Sequence, residues 1–318
     1  MAAVLAVGAL GGGWHASAAD WLQPREIQVE RMNVAPELVA ATRESPIERG
    51  KRRPVVDGVG WVIGIPSKIM LWDRRVDNHD VSVETEEAIR HYLHDNGLEH
   101  VKLAINLYDP LGDWRRLRAN TTVGWGYRYT FGALSVAGEA LLPGRLIGGD
   151  HYNPFTGTIY LYSDVPAIAL QKGGHAKDVA RRNHPGTYAL LAALPITGLW
   201  PEAIATGDAL AYAEQHEQAD LEREGYRILY PDYGTHVGGS LKRFVAPVAL
   251  PVYAGAVVAG HAVGRVQARL VPDADDVPTE RHRLADAEAQ ATAREPAASA
   301  PDGDGSGAGL SRRPVERR

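Results

Sequence analysis

The chain has 318 residues, 45% of them hydrophobic and 23% charged, close to ordinary globular usage, which excludes wholesale disorder and a many-helix membrane transporter. Its 34 Lys and Arg against 39 Asp and Glu leave a net charge of −5, so a dedicated nucleic-acid binder, which needs a dominant basic surface, is excluded too. Cysteine is absent, which removes disulfide frameworks, thiolate metal sites and cysteine nucleophiles together but leaves the compartment open.

In chain order, residues 1–18 join a short apolar run to Ala16-Ser17-Ala18, small residues at signal-peptidase spacing, and read as a signal or anchor segment. No Lys or Arg precedes the run and Gly11-Gly12-Gly13 interrupts it, so a mis-assigned start or a plain tail is the alternative. Residues 19–58 form a polar lead-in. The alternation of Val59, Trp61, Ile63 and Ile65, resumed by Ile69 and Leu71 after Pro66-Ser67, predicts strand, turn, strand. Residues 84–96 place Ala88, Ile89, Tyr92 and Leu93 on one helical face, and Asn96-Gly97 supplies a left-handed stop. Val101, Leu103, Ile105 and Leu107 alternate as a strand ending at Asp109-Pro110, for a ββαβ order. Tyr127, Tyr129 and Phe131 read as strand, 133–142 as helix, and Gly148-Gly149 with Asn153-Pro154 as loop. Thr158 to Tyr162 is a short, edge-like strand, and Ser163-Asp164-Val165-Pro166 starts a helix with a capping side chain and Pro in the first turn.

Two later stretches are strongly apolar. Residues 187–200 are too short to span a bilayer and predict a buried helix. Phe244 to Gly264 carry no charge between Lys242-Arg243 and Arg265, a length that spans a membrane, although Pro247, Pro251 and His261 interrupt it. Gly260 and Gly264 have the small-residue spacing that lets helices approach closely in lipid. A membrane helix and a core helical hairpin both fit. From Pro272 onward no apolar period remains, which predicts a disordered tail.

The chemistry-bearing stretch is 153–178, where a strand feeds a capped helix that carries Gln171-Lys172-Gly173-Gly174-His175. It resembles the active-site helix of zincin metallopeptidases, and the phrasing is similar to that of an uncharacterised bacterial branch with an intact motif after the same strand. In the H-E-x-x-H motif two His at i and i+4 share a helical face and one zinc, and the Glu beside the first takes a proton from the metal-bound water. Here only His175 matches. Gln171 is a poor zinc ligand, and Lys172 puts a cation where the mechanism needs an anionic base. The Glu-ligand branch of that family implies a third ligand on a downstream helix, which falls on Glu202. The Asp that orients the motif His one turn later is replaced by Thr206, with Asp208 two residues beyond. A Lys172–Glu202 ion pair is the natural substitute for a lost zinc.

His175 can equally be a core histidine, and Glu202 and Asp208 helix-start acids beside Pro201. His91, His94 and His100 with His79 invite a metal reading, but His91 and His94 fall on the polar face of their helix. His151, His184 and Asp178 are further candidate cleft residues. No G-x-S-x-G, P-loop or strand-linked G-x-G-x-x-G occurs.

The expectation is an α+β fold: a zincin-like domain over 59–241 with a small mixed sheet, an apolar helical segment over 242–270, and a tail over 271–318. Its function is expected to be that of a membrane-associated or exported pseudo-peptidase that binds a peptide or protein partner, with strand addition along 158–162 as one mode. No cofactor is expected, with zinc if the site is functional. The alternatives are an active metal-dependent hydrolase using His175, Glu202 and a further ligand such as His151 or His184, and a membrane-anchored structural protein.

Overall fold

Helix α1 (Pro36–Glu44) and strand β1 (Ile47–Arg49) lie within the polar lead-in, where Leu38 and Thr42 are the buried residues of the helix. The computed structural model describes residue 32 and residues 34–147, 149–241 and 248–272, all inside one unit, Met1–Ala274. The signal or anchor stretch 1–18, Gly148, residues 242–247 and the tail from 273 lie outside the described residues.

The strand pair expected over 59–71 is instead two helices, α2 (Pro54–Ile63) and α3 (Ile65–Leu71), which meet at a 48° bend. Pro sits in the first turn of each, a position where its missing N–H costs nothing. The alternation misled because apolar residues occur all round α2; Val55 is 81% exposed, and Val59, Val62 and Ile63 also face outward. Helix α4 (Val83–Asp95) forms as expected. The Ser82 hydroxyl accepts from Thr85 N–H, Ile89 and Tyr92 are buried, and Gly97 takes φ +63°. Strand β2 (Lys102–Ile105) follows, and Asp109 caps α5 (Pro110–Ala119) by accepting from Gly112 N–H at 3.0 Å.

The second correction concerns Tyr127 to Phe131, which is helical rather than extended. A turn at Trp125–Tyr127 continues through a π-helical stretch, Arg128–Gly132, into α6 (Ala133–Leu141). Tyr129 and Phe131 are exposed, so their spacing never marked a buried sheet face. After a short α7 (Gly144–Ile147) come β3 (His151–Asn153), β4 (Thr158–Leu161), α8 (Pro166–Ala180), α9 (Pro185–Ala192), α10 (Leu199–Gln215), α11 (Ala219–Leu241) and α12 (Ala249–Leu270).

The molecule is mostly helical around a small mixed sheet of order β1-β2-β4-β3, with β1, β2 and β4 parallel and β3 antiparallel. This is α+β, although the predicted ββαβ order is wrong. Strand β4 is interior rather than an edge. It pairs with β2 (Ile159 beside Leu103, Leu161 beside Ile105) and with β3 (Tyr160 beside His151). Leu103, Ile105, Ile159 and Leu161 enter the main core with Ile89 and Tyr92 of α4 and Leu170 of α8, while Ala104, Tyr160 and Tyr162 form a smaller cluster. Arg116 of α5 locks the sheet's N-terminal side. It donates to the carbonyls of Thr156, Gly157 and His100 and to the hydroxyls of Thr42 and Thr158.

The expected buried helix over 187–200 is broken. Helix α9 stops at Ala192, α10 starts at Leu199, and Leu191, Leu194, Ile196 and Trp200 are exposed. In α12 the small-residue spacing brings the helix onto α11. A Cβ at Gly264 would lie 2.1 Å from Tyr226 O, and one at Gly260 2.5 Å from Tyr230 O. The opposite side of α12 is open, with Leu250 at 74% exposure and Val258, Val266 and Leu270 also outside. His261 ties α12 to α3 through Met70 O at 2.8 Å and stacks on Trp72 at 4.2 Å. Among the described residues α12 is long and apolar enough to cross a membrane, and α2 with α3 meets the same criterion as a bent pair.

Candidate functional site

Helix α8 is buried around most of its circumference, so each polar residue on it needs a partner. Its start differs from the expected cap. Val165 is the N-cap residue and offers no side-chain bond; the Ser163 hydroxyl instead accepts from Asp77 N–H at 2.8 Å, and Asp164 accepts from Ser82 N–H at 2.8 Å. The free N–H of Ala167 is satisfied from α11 by Glu224 at 3.1 Å. The two glycines admit close neighbours. A Cβ at Gly173 would meet the Tyr92 ring at 2.5 Å, and one at Gly174 would meet Ala205 O at 2.9 Å. The second approach brings α8 against α10.

That crossing unites His175 with Glu202. His175 Nε2 lies 3.2 Å from Glu202 Oε2, and the same oxygen is 3.4 Å from the Gln171 amide nitrogen, which also reaches Thr206 Oγ1 at 3.2 Å. Lys172, 8% exposed, donates to Gln171 Oε1 at 2.8 Å. The anticipated direct Lys172–Glu202 ion pair is therefore a relay through the Gln171 amide. Burial alone would raise the Glu202 carboxyl, but His175, Lys172 and His236 around it outweigh that effect and hold it well below the usual carboxylate range.

Lys172, His175, Glu202 and His236 line a cavity of about 560 Å³ whose walls include Leu71, Ile168, Phe155 and Val179. Asp77 and Asp150 also line it, and burial followed by the charge of Asp150 pushes the Asp77 carboxyl up. The expected cleft residues fare differently. His151 lines the cavity, with Nδ1 3.0 Å from Gly149 O, Nε2 2.8 Å from Glu139 Oε1, and its ring stacked on Tyr160, so it is engaged away from Glu202. Asp178 also lines it but accepts from Arg182 and Tyr188, which ties α9 to α8. His184 sits exposed at the N-cap of α9 and is not a lining residue. Asp208 lies outside the cavity, bound to Lys177 Nζ at 2.6 Å and to the Tyr92 hydroxyl. The four upstream histidines do not gather. His91 and His94 are exposed, His79 is buried against Gly60, and His100 is buried, where burial and then Arg116 push its imidazole down to about 4.

Sequence reasoning passed over Asp232 and His236. On α11 they are spaced i, i+4, and Glu202, Asp232 and His236 bring one ligand atom each to within 4.8 Å of one another. His236 Nε2 is 3.7 Å from Glu202 Oε2. The one signal in the sequence is the Asp-x-x-x-His spacing beside Pro231, and nothing local links α11 to α8. Pro231 lies inside α11. Three groups from two helices, Glu202 of α10 and Asp232 and His236 of α11, can thus present two carboxylates and one imidazole to one point, with His175 of α8 beside Glu202. A comparison of the chain with protein families, curated proteins and solved structures gives no match.

Proposed function

We propose that this chain is a zincin-like, catalytically degenerate relative of metallopeptidases, held at a membrane surface and acting by binding rather than by cleavage. The observation that carries the reading is the Lys172–Gln171–Glu202 relay. At the two positions where a peptidase of that type would keep a zinc ligand and an anionic base stand an amide and a buried ammonium, hydrogen-bonded to each other. A cation in the base position cannot take a proton from water, and the relay keeps Glu202 in place using protein groups alone. The cavity supports binding, since it sets apolar wall residues such as Leu71, Ile168, Phe155 and Val179 beside polar and charged groups that can orient a ligand. Strand addition at 158–162 is dropped, because β4 is paired on both sides.

The membrane part of the reading rests on α12 and the α2–α3 pair, which lie next to one another through His261 and Met70 and turn apolar side chains outward. Exposed Lys51, Arg52 and Arg53 precede α2 and suit anionic headgroups. Two measurements test the proposal. With zinc supplied, the full-length chain should cleave quenched peptide libraries no faster than Glu202→Ala; zinc-dependent turnover abolished by that substitution would refute a binding-only role. In flotation, the chain should rise with anionic vesicles, and a fully soluble chain would refute the membrane part.

A further inference from the structure

We infer that Glu202, Asp232 and His236 form a zinc site whose ligand set is displaced from the motif positions onto α11, with His175 of α8 holding Glu202 from the other side. A tetrahedral zinc with ligands about 2.0–2.2 Å away places ligand atoms about 3.3–3.6 Å apart. The separations here lie a little above that edge, with Glu202 Oε2 3.7 Å from His236 Nε2 and the Glu202, Asp232 and His236 atoms all within 4.8 Å of one another. Adjustment by rotation about side-chain bonds closes the remainder, because Asp232 and His236 are half-buried and water can reach them.

The charges agree with a dication. Two carboxylates offset the charge of one Zn²⁺, and an imidazole ligand selects zinc over magnesium or calcium, which take oxygen. The hydrogen bonding agrees as well. Glu202 Oε2 is approached by three nitrogens, and the Asp232 carboxylate lines the same cavity. A cation between them uses both. Gln171 contributes only a contact of 3.4 Å to that oxygen, and Lys172 is joined to Gln171, so neither blocks the α11 side. Such a metal would have no carboxylate base in the Lys172 position, so the inference is compatible with the binding role above and does not rest on it.

The test is calorimetric titration of zinc chloride into the full-length chain, stripped with chelator and desalted, with circular dichroism confirming the fold of each variant. One site per chain is expected. His236→Ala and Asp232→Asn should each weaken it by on the order of tenfold or more, while His94→Ala, an exposed residue of α4, should leave it unchanged. A folded parent that takes up no zinc, or folded His236→Ala and Asp232→Asn chains that titrate like the parent, would overturn the assignment. A chain that neither binds zinc nor cleaves peptide would sink this inference alone and leave the proposed function standing.

Discussion

The closest test of how α8 is positioned is Gly174→Ala. The new methyl would lie 2.9 Å from Ala205 O, 3.0 Å from Ala205 Cα and 3.3 Å from Ala205 Cβ, and the first two of these are backbone atoms that cannot swing away. Ordinary contact begins near 3.4 Å, so α8 and α10 must part by about 0.5 Å or twist by an equivalent amount. Overpacking of this kind costs about 1–3 kcal/mol. Against it stands the gain of about 0.5–1 kcal/mol for replacing Gly by Ala inside a helix. The net expectation is a loss of up to about 2.5 kcal/mol. The matched control is Gly138→Ala in α6, where a methyl meets nothing within 4 Å and should leave only the propensity gain. Denaturant unfolding followed by circular dichroism and tryptophan fluorescence should therefore separate the two variants by about 1–3 kcal/mol at unchanged m-value. The same displacement should lengthen the 3.2 Å His175–Glu202 contact, so Gly174→Ala should also weaken zinc binding. Equal stability of the two variants would refute the close α8–α10 approach on which the site geometry depends.

Three further outcomes are expected. Lys177→Met removes the buried ammonium 2.6 Å from the half-buried Asp208, leaving a carboxylate held by the Tyr92 hydroxyl, and should cost about 3 kcal/mol; a loss under 1 kcal/mol in denaturant would contradict it. Burial pushes the Asp113 carboxyl up to about 6, above the unfolded value of about 3.9. The native state therefore holds the extra proton between those pH values, and this group's contribution falls as pH rises from about 4 to above 6, by about 2–3 kcal/mol. Asp113→Asn should gain on the parent over that interval, and parallel pH–stability curves would refute the assignment. Finally, Gln171→His combined with Lys172→Glu places a second imidazole one turn before His175 and a carboxylate in place of the cation, so zinc should bind at least about tenfold more tightly than in the parent. Calorimetry of the folded double variant without that gain would mean that position 171 does not face the metal.

Where local physics sufficed, the chain could be read directly. Helix α4 is set by its Ser82 cap, its Ile89–Tyr92 face and the left-handed Gly97, all of them neighbours in sequence. Strand β4 and helix α8 were legible from the β-branched and aromatic run and from Pro166, and the convergence of His175 with Glu202 was anticipated from the family resemblance. The Gly260–Gly264 spacing announced a close helix contact, though only the tertiary structure names α11 as the partner. Alternation failed at Val59–Ile65 and at Tyr127–Phe131 because period two identifies a strand only when one face is buried, and in both segments the large side chains stand outside. The interior place of β4 was not legible either, since pairing depends on β2 and β3 folding beside it. The same holds for the α8 cap. Glu224, far along the chain, satisfies Ala167 N–H, while Ser163, the evident local candidate, serves Asp77 instead. Asp232 and His236 are the clearest case. As an i, i+4 pair beside Pro231 they carry no mark of a site, and they acquire one only because the packing of α11 against α8 and α10 brings them to Glu202, beside His175, in the wall of a single cavity.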